Sequence, residues 1–390
     1  MTFTTRLTAA ALCGAVVVAT IPATASAHPA RGDLLDVVPV STLDTTQLTT
    51  YLGDHDLDAT RVRHSVDAKR ITYRTIDAHG RPTTASALVA APRNNDKAPR
   101  QVTWLHGTTA YRGSVASVND GNDRATAFFF ASAGYLTTAP DYLGLGTGPG
   151  LHPYVDAPST VTASVDALRA TRKLAARQGL RPDPRIMVTG HSQGGHATMA
   201  LGKALQSGTD RHLQLGGLAP IAGALHPSQL VAKGVRDEIA NSVAYMAYWT
   251  VAWNRVHHLY DTPAEAFRDP TIESLFDGDH RNEDIFPNLP RTIPELFTDS
   301  YLERVKTPTG ILRTKLQEAD SYCDWRPSVP VSIYSSTGDR DTLLETSAYC
   351  DTRLKAHHAT SELIDLGITV DHAKAPKLAL PRILTTFDNT

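Results

Sequence analysis

Gly190-His191-Ser192-Gln193-Gly194 sets one serine between two glycines, the pattern G-x-S-x-G. A serine hydroxyl is a weak nucleophile at its own pKa. It needs a base to take its proton, and the base needs an acid to orient it. Candidates for both lie downstream. "YSSTGDRD" (334–341) holds Asp339 and Asp341, and "GITVDHAKAP" (367–376) holds His372. Attack on a carbonyl also builds an oxyanion that needs preorganised donors, each worth about 10²–10³ in rate. The backbone N–H of Gln193 is one candidate. Thr108 in "LHGTT" (105–109) is the other. The chemistry is acyl transfer through a covalent serine intermediate.

These residues need elements to carry them. "RIMVTG" (185–190) reads as a strand and "QGGHATMALGKALQ" (193–206) as a helix. A tight turn between them lifts the hydroxyl to the C-terminal edge of a sheet and leaves no room for β-carbons at 190 and 194. The helix N-terminus behind it favours negative charge. Further strands are expected at 69–77, 84–92, 100–107, 135–141, 213–223, 330–336 and 361–372. The first two form a hairpin at the sheet edge. Helices are expected at 123–135, at 159–179 with Ser159 and Gly179 as caps, and around 343–358. This alternation means an α/β fold, a mostly parallel sheet with helices on both faces. The rhythm breaks at 224 and resumes near 330. The expected division is therefore 28–223 with 326–390 as core, and 224–325 as a largely helical insertion. Residues 28–60 read as an irregular polar arm. Asp339 comes first after its strand and is preferred as the acid, with Asp341 as rival or as cap of a helix starting near Thr342.

"LHGTT" (105–109), "PDYLGLG" (140–146), "GHSQGGHA" (190–197) and the late His372 occur in the order of an α/β-hydrolase. The chain resembles the secreted lipases and esterases of that superfamily that carry a large inserted lid. The resemblance spans most of the chain from about residue 66 and is weakest over 224–325. It implies ester hydrolysis by Ser192, His372 and Asp339 with no cofactor. It does not supply the substrate. One departure stands out: where such enzymes often read H-G-x-x-D before the acid, this chain reads Ser335-Ser336-Thr337-Gly338-Asp339.

Trp249 and Trp253 lie at near-helical spacing in "VAYMAYWTVAWNRVHHLY" (243–260), and Tyr142 is the second residue of the glycine-rich stretch 141–150. All three are candidate pocket residues. That stretch does not open a helix after a first sheet strand, so it suits an active-site loop rather than a dinucleotide loop. Asp141 within it reads as structural. Sixteen histidines show no ligand pair of the H-E-x-x-H kind, and no metal site is expected.

Residues 1–27 have one charge, Arg6, an apolar run from Leu7 to Ile21, and Ala25-Ser26-Ala27, the layout of a secretory signal cleaved after Ala27. The run is too short to span a bilayer. Removing the segment takes one of 38 basic residues and none of the 40 acidic ones, so the charge becomes about −3. Without a basic tract, nucleic acid is not an expected partner, and neither is stable membrane insertion. Cys323 and Cys350 remain, an even pair in an oxidising compartment, and are expected to be bridged. Two rival readings are a serine peptidase of aminopeptidase type and a non-catalytic binding protein on the same scaffold. The first needs paired glutamates for a substrate amino group, and the insertion shows no adjacent or alternating pair. An intact Ser, Asp, His set argues against the second.

Overall fold

The computed structural model describes residues 1–5, 30–93 and 97–390, so the expected signal segment lies, from residue 6 on, outside the described residues. The strands are β1 (Leu34–Leu43), β2 (Ser65–Ile76), β3 (Pro82–Arg93), β4 (Gln101–Leu105), β5 (Leu136–Pro140), β6 (Arg185–His191), β7 (Gln214–Ile221), β8 (Val331–Ser335) and β9 (Ser361–Asp365). They form one sheet in the order β1-β2-β3-β5-β4-β6-β7-β8-β9. The β1/β2, β2/β3 and β3/β5 pairs are antiparallel, and every pair from β5 to β9 is parallel. β4 and β5 are buried at every position, as strands covered on both faces must be.

Helices α1 (Thr45–Asp54) and α2 (Asn122–Ser132) pack on one face with the C-terminal helix (Ala375–Asp388). Leu48, Phe128 and Phe387 meet there. Helices α3 (Ala157–Arg177) and α4 (Gln193–Gln206) cover the other face. Between β7 and β8 run α5 (Pro227–Gly234), α6 (Ser242–His257), three single turns α7 (Pro263–Ala266), α8 (Asn282–Ile285) and α9 (Ile293–Leu296), then α10 (Asp299–Lys306) and α11 (Gly310–Asp320). They share an aromatic cluster of their own, including Trp249, Trp253, Phe267 and Phe297. After β8 come α12 (Leu344–Ala356), β9 and the C-terminal helix α13. A disulfide joins Cys323 to Cys350 in α12, with Cα atoms 5.0 Å apart. Among the described residues, no helix is long and apolar enough to cross a membrane.

Three local expectations need correction. The expected irregular arm at 28–60, described from residue 30, instead contains β1 and α1. Asp44 and Gln47 cap α1 reciprocally, side chain to backbone at 2.8 and 2.9 Å. The β2/β3 hairpin is not at the edge, because β1 pairs outside it. Helix α3 begins two residues before Ser159, since the Asp156 carboxylate accepts the Ser159 N–H at 3.0 Å and is the true cap.

Candidate active site

Ser192 sits between β6 and α4 with φ +59° and ψ −117°. A side chain there is strained by roughly 1–3 kcal/mol, and such strain persists only where the surroundings over-determine it. The flanking glycines do so. A β-carbon on Gly190 would lie 2.5 Å from the Gly194 carbonyl oxygen and 2.6 Å from that of Leu105, and one on Gly194 would collide with the Leu105 carbonyl. Strand β4 therefore presses against both ends of the turn. The Ser192 N–H donates to the Ile221 carbonyl at 3.0 Å, tying the turn to the end of β7.

Asp339 follows β8 and His372 follows β9. Cross-ties hold the two loops together. Ser336 Oγ donates to the Val370 carbonyl at 2.7 Å, and the Thr337 N–H and hydroxyl both donate to Asp365. A β-carbon on Gly338 would strike the Ile368 carbonyl, so the residue before the acid must be glycine for the loops to meet. This is the work done by the stretch that lacks the usual His-Gly. His372 Nδ1 donates to Asp339 Oδ2 at 2.8 Å. The Asp341 and Thr342 N–H groups donate to Asp339 Oδ1 at 2.8 and 3.1 Å, and the Thr342 hydroxyl to Oδ2 at 2.9 Å. Burial pushes this carboxyl up. The His372 hydrogen bond and charge, with the two N–H groups, outweigh burial and hold its pKa below the ordinary value. A proton fixed on His372 Nδ1 leaves Nε2 as the basic nitrogen. His191 Nε2 donates to the His372 carbonyl at 3.0 Å and its ring lies 4.5 Å from that of His372, which links the residue before Ser192 to the histidine loop.

Asp341 does not cap α12, whose first residue is Leu344. Its carboxylate accepts from Tyr245 Oη at 2.7 Å and Asn241 Nδ2 at 3.2 Å, both from the start of α6. Asp339, Asp341 and His372 each bring one donor atom within 4.8 Å of the others. The Asp339–His372 hydrogen bond already occupies Oδ2 and Nδ1.

Ser192 and Gln193 open into a cavity of about 600 Å³, its mouth included. Leu230, Val231, Met246 and Trp249 make its walls apolar, and Asp341 and Tyr245 also line it. Of the three aromatic residues singled out in the sequence, Trp249 lines this cavity and Trp253 and Tyr142 do not. Trp253 is buried against Trp249 and His257 and faces a different cavity. Tyr142 is wholly buried, with Oη donating to the His106 carbonyl at 3.2 Å. Gln193 opens α4, where its N–H has no acceptor inside the helix. Thr108 Oγ1 pairs with Tyr154 Oη at 2.9 Å, and Tyr248 Oη donates to the Thr109 carbonyl at 3.1 Å. Asp141 accepts from Ser86 Oγ, Ser117 Oγ and the Ser117 N–H, a buried structural carboxylate. Sequence reasoning missed Tyr154, Tyr248 and also His152, whose Nε2 lies 2.9 Å from Gln193 Nε2. No local pattern signals such pairings. The nearest hint is the glycine-rich stretch that leads into His152.

Comparison with known proteins agrees with this architecture. Residues 115–233, less than a third of the chain, match the family model for secretory lipase. A ligand-bound form of the rice cell wall degrading esterase LipA from Xanthomonas oryzae superposes with a TM-score of 0.81 at 24% identity, over 92% of this chain and 98% of that one. Candida antarctica lipase A superposes with a TM-score of 0.65 at 14% identity, over 92% of this chain and 83% of that one. No curated protein sequence matches. The chain has the α/β-hydrolase fold.

Proposed function

We propose that this protein is a secreted serine hydrolase of carboxylic esters. Ser192 Oγ attacks the ester carbonyl while His372 Nε2 takes its proton. The Gln193 and Thr108 N–H groups hold the oxyanion. Collapse expels the alcohol, which leaves with the proton from His372, and the acyl group stays on Ser192. Water attacks the acyl-enzyme with its proton going to His372, and the carboxylic acid departs with Ser192 restored. Asp339 keeps the imidazole in the reactive tautomer throughout. The chemistry calls for no cofactor.

The observation that carries this reading is the strained serine lining an apolar cavity, in an α/β-hydrolase fold whose Asp339–His372 pair is hydrogen-bonded at 2.8 Å. The secretory lipase match over 115–233 and the esterase and lipase neighbours support esters as the substrate class. The disulfide and that same match support export, and cleavage after Ala27 rests on the sequence Ala25-Ser26-Ala27. Residues 224–325 act as the cap, and Trp249 on α6 gives it a part in choosing the acyl group.

A series of p-nitrophenyl esters from acetate to palmitate, with matched amino-acid anilides, tests the reading. Turnover of esters with anilides inert is the expected result. Faster cleavage of the anilides would make the protein a peptidase instead.

A further inference from the structure

We infer that His152 is a positioning residue that holds Gln193 so that its backbone N–H meets the oxyanion. The inference rests on the ester-hydrolase reading above.

His152 and Gln193 are both buried and lie 41 positions apart in the chain. His152 Nδ1 lies 3.0 Å from the Leu143 carbonyl. A carbonyl only accepts, so Nδ1 carries the proton and Nε2 carries the lone pair. Gln193 Nε2 therefore donates to His152 Nε2 at 2.9 Å. The carboxamide oxygen of Gln193 is buried without a partner among the described residues. Its amide nitrogen is thus the group that anchors the side chain. Burial, reinforced by His106, pushes the His152 pKa down to about 3, so the lone pair stays available at neutral and mildly acidic pH.

The glycine-rich stretch builds this anchor. Gly144 has φ +73°, and a β-carbon there would strike Leu151 and His152 backbone. Without one, residue 144 packs backbone to backbone against 151–152, which leaves the Leu143 carbonyl within reach of the His152 ring. Tyr142 stacks on His152 with ring centroids 5.8 Å apart and 13° between planes. Tyr142 Oη in turn reaches the His106 carbonyl, two residues before Thr108. One buried column thereby braces both proposed donors, Gln193 directly and Thr108 through the end of β4. An oxyanion donor must sit within roughly 2.7–3.1 Å of the developing charge, and a shift of about 1 Å can cost ~10²-fold.

The test is steady-state kinetics on p-nitrophenyl butyrate, with a thermal melt of each variant. His152→Phe keeps a ring on Tyr142 but removes the acceptor. It should lower kcat by ~10–100-fold with KM within ~3-fold, the mark of an interaction made in the transition state alone. His152→Gln, whose Oε1 can accept, should restore most of kcat. Gln193→Met keeps the backbone N–H and loses the anchor, so it should match His152→Phe. The double variant should be no worse than Gln193→Met, because His152 acts through that carboxamide. If His152→Phe does not fold, Gln193→Met still decides. Unchanged kcat in Gln193→Met, or additive losses in the double variant, overturns the inference while the ester reading stands. A wild-type protein inert towards every ester overturns the reading itself.

Discussion

Strain at Ser192 and crowding at Gly190 and Gly194 are two sides of one arrangement. The turn is tight because β4 and α4 touch it from both sides, so the pattern of small residues was legible without coordinates. The acid was harder. Asp339 and Asp341 are two residues apart, and both lie near His372. Position after the strand favoured Asp339, and the geometry adds the contacts: Asp339 meets Nδ1, while Asp341 is held by Tyr245 and Asn241. Asp339→Asn should cut turnover by about 10⁴, because an amide there favours the wrong tautomer. Asp341→Asn should keep kcat within about tenfold, since both its partners are neutral donors that an amide oxygen also accepts. Steady-state kinetics of the two variants checks this, and the reverse ranking transfers the role to Asp341.

Elements with a clean period were legible. The seven residues of β6 and the fourteen of α4 lie within one residue of the expected bounds. β1 was not, because its faces are mixed in polarity and it packs on one side at a sheet edge. The reciprocal cap of α1 is a local signal that passed unread, whereas the pairing of His152 with Gln193 had none to read. Helix α6 shows a further limit. Its spacing gave Trp249 and Trp253 one face, but four residues on a helix are 6 Å apart along its axis, enough for two cavities. Trp249→Ala should therefore shift preference among acyl lengths, measured as ratios of kcat/KM across the ester series. Trp253→Ala should leave those ratios alone and lower stability by about 3–5 kcal/mol, the usual cost of emptying a buried tryptophan site. Equal effects of the two on the ratios would refute this division. The disulfide closes a 27-residue separation containing β8 and Asp339. Its reduction should cost about 3 kcal/mol in denaturant melts, and no change in the midpoint would contradict that contribution.

Among the described residues, burial lowers the pKa of three imidazoles, those of His152, His191 and His196. Burial, with help from neighbouring histidines, pushes both His152 and His191 down to about 3. An unfolded histidine titrates near 6.5. The stability tied to these groups is thus fully present above pH 6.5 and is lost as pH falls from there towards 3, by several kcal/mol for the pair. Asp339, depressed in the folded state, acts in the same sense at lower pH. Asp123 and Asp141, raised by burial, oppose it. A variant comparison cancels them: between pH 6.5 and 4.5 the Tm of His191→Gln should fall less than that of the parent, and parallel curves would remove His191 from the account. The proposed nucleophile, Ser192, is open to direct labelling. The protein is incubated with a fluorophosphonate, and the adduct is located by peptide mass spectrometry while residual ester hydrolysis is followed. One adduct per chain, on Ser192, is expected, with activity lost in proportion to labelling. Loss of activity with the adduct on another residue, or full labelling of Ser192 with hydrolysis intact, would contradict that role.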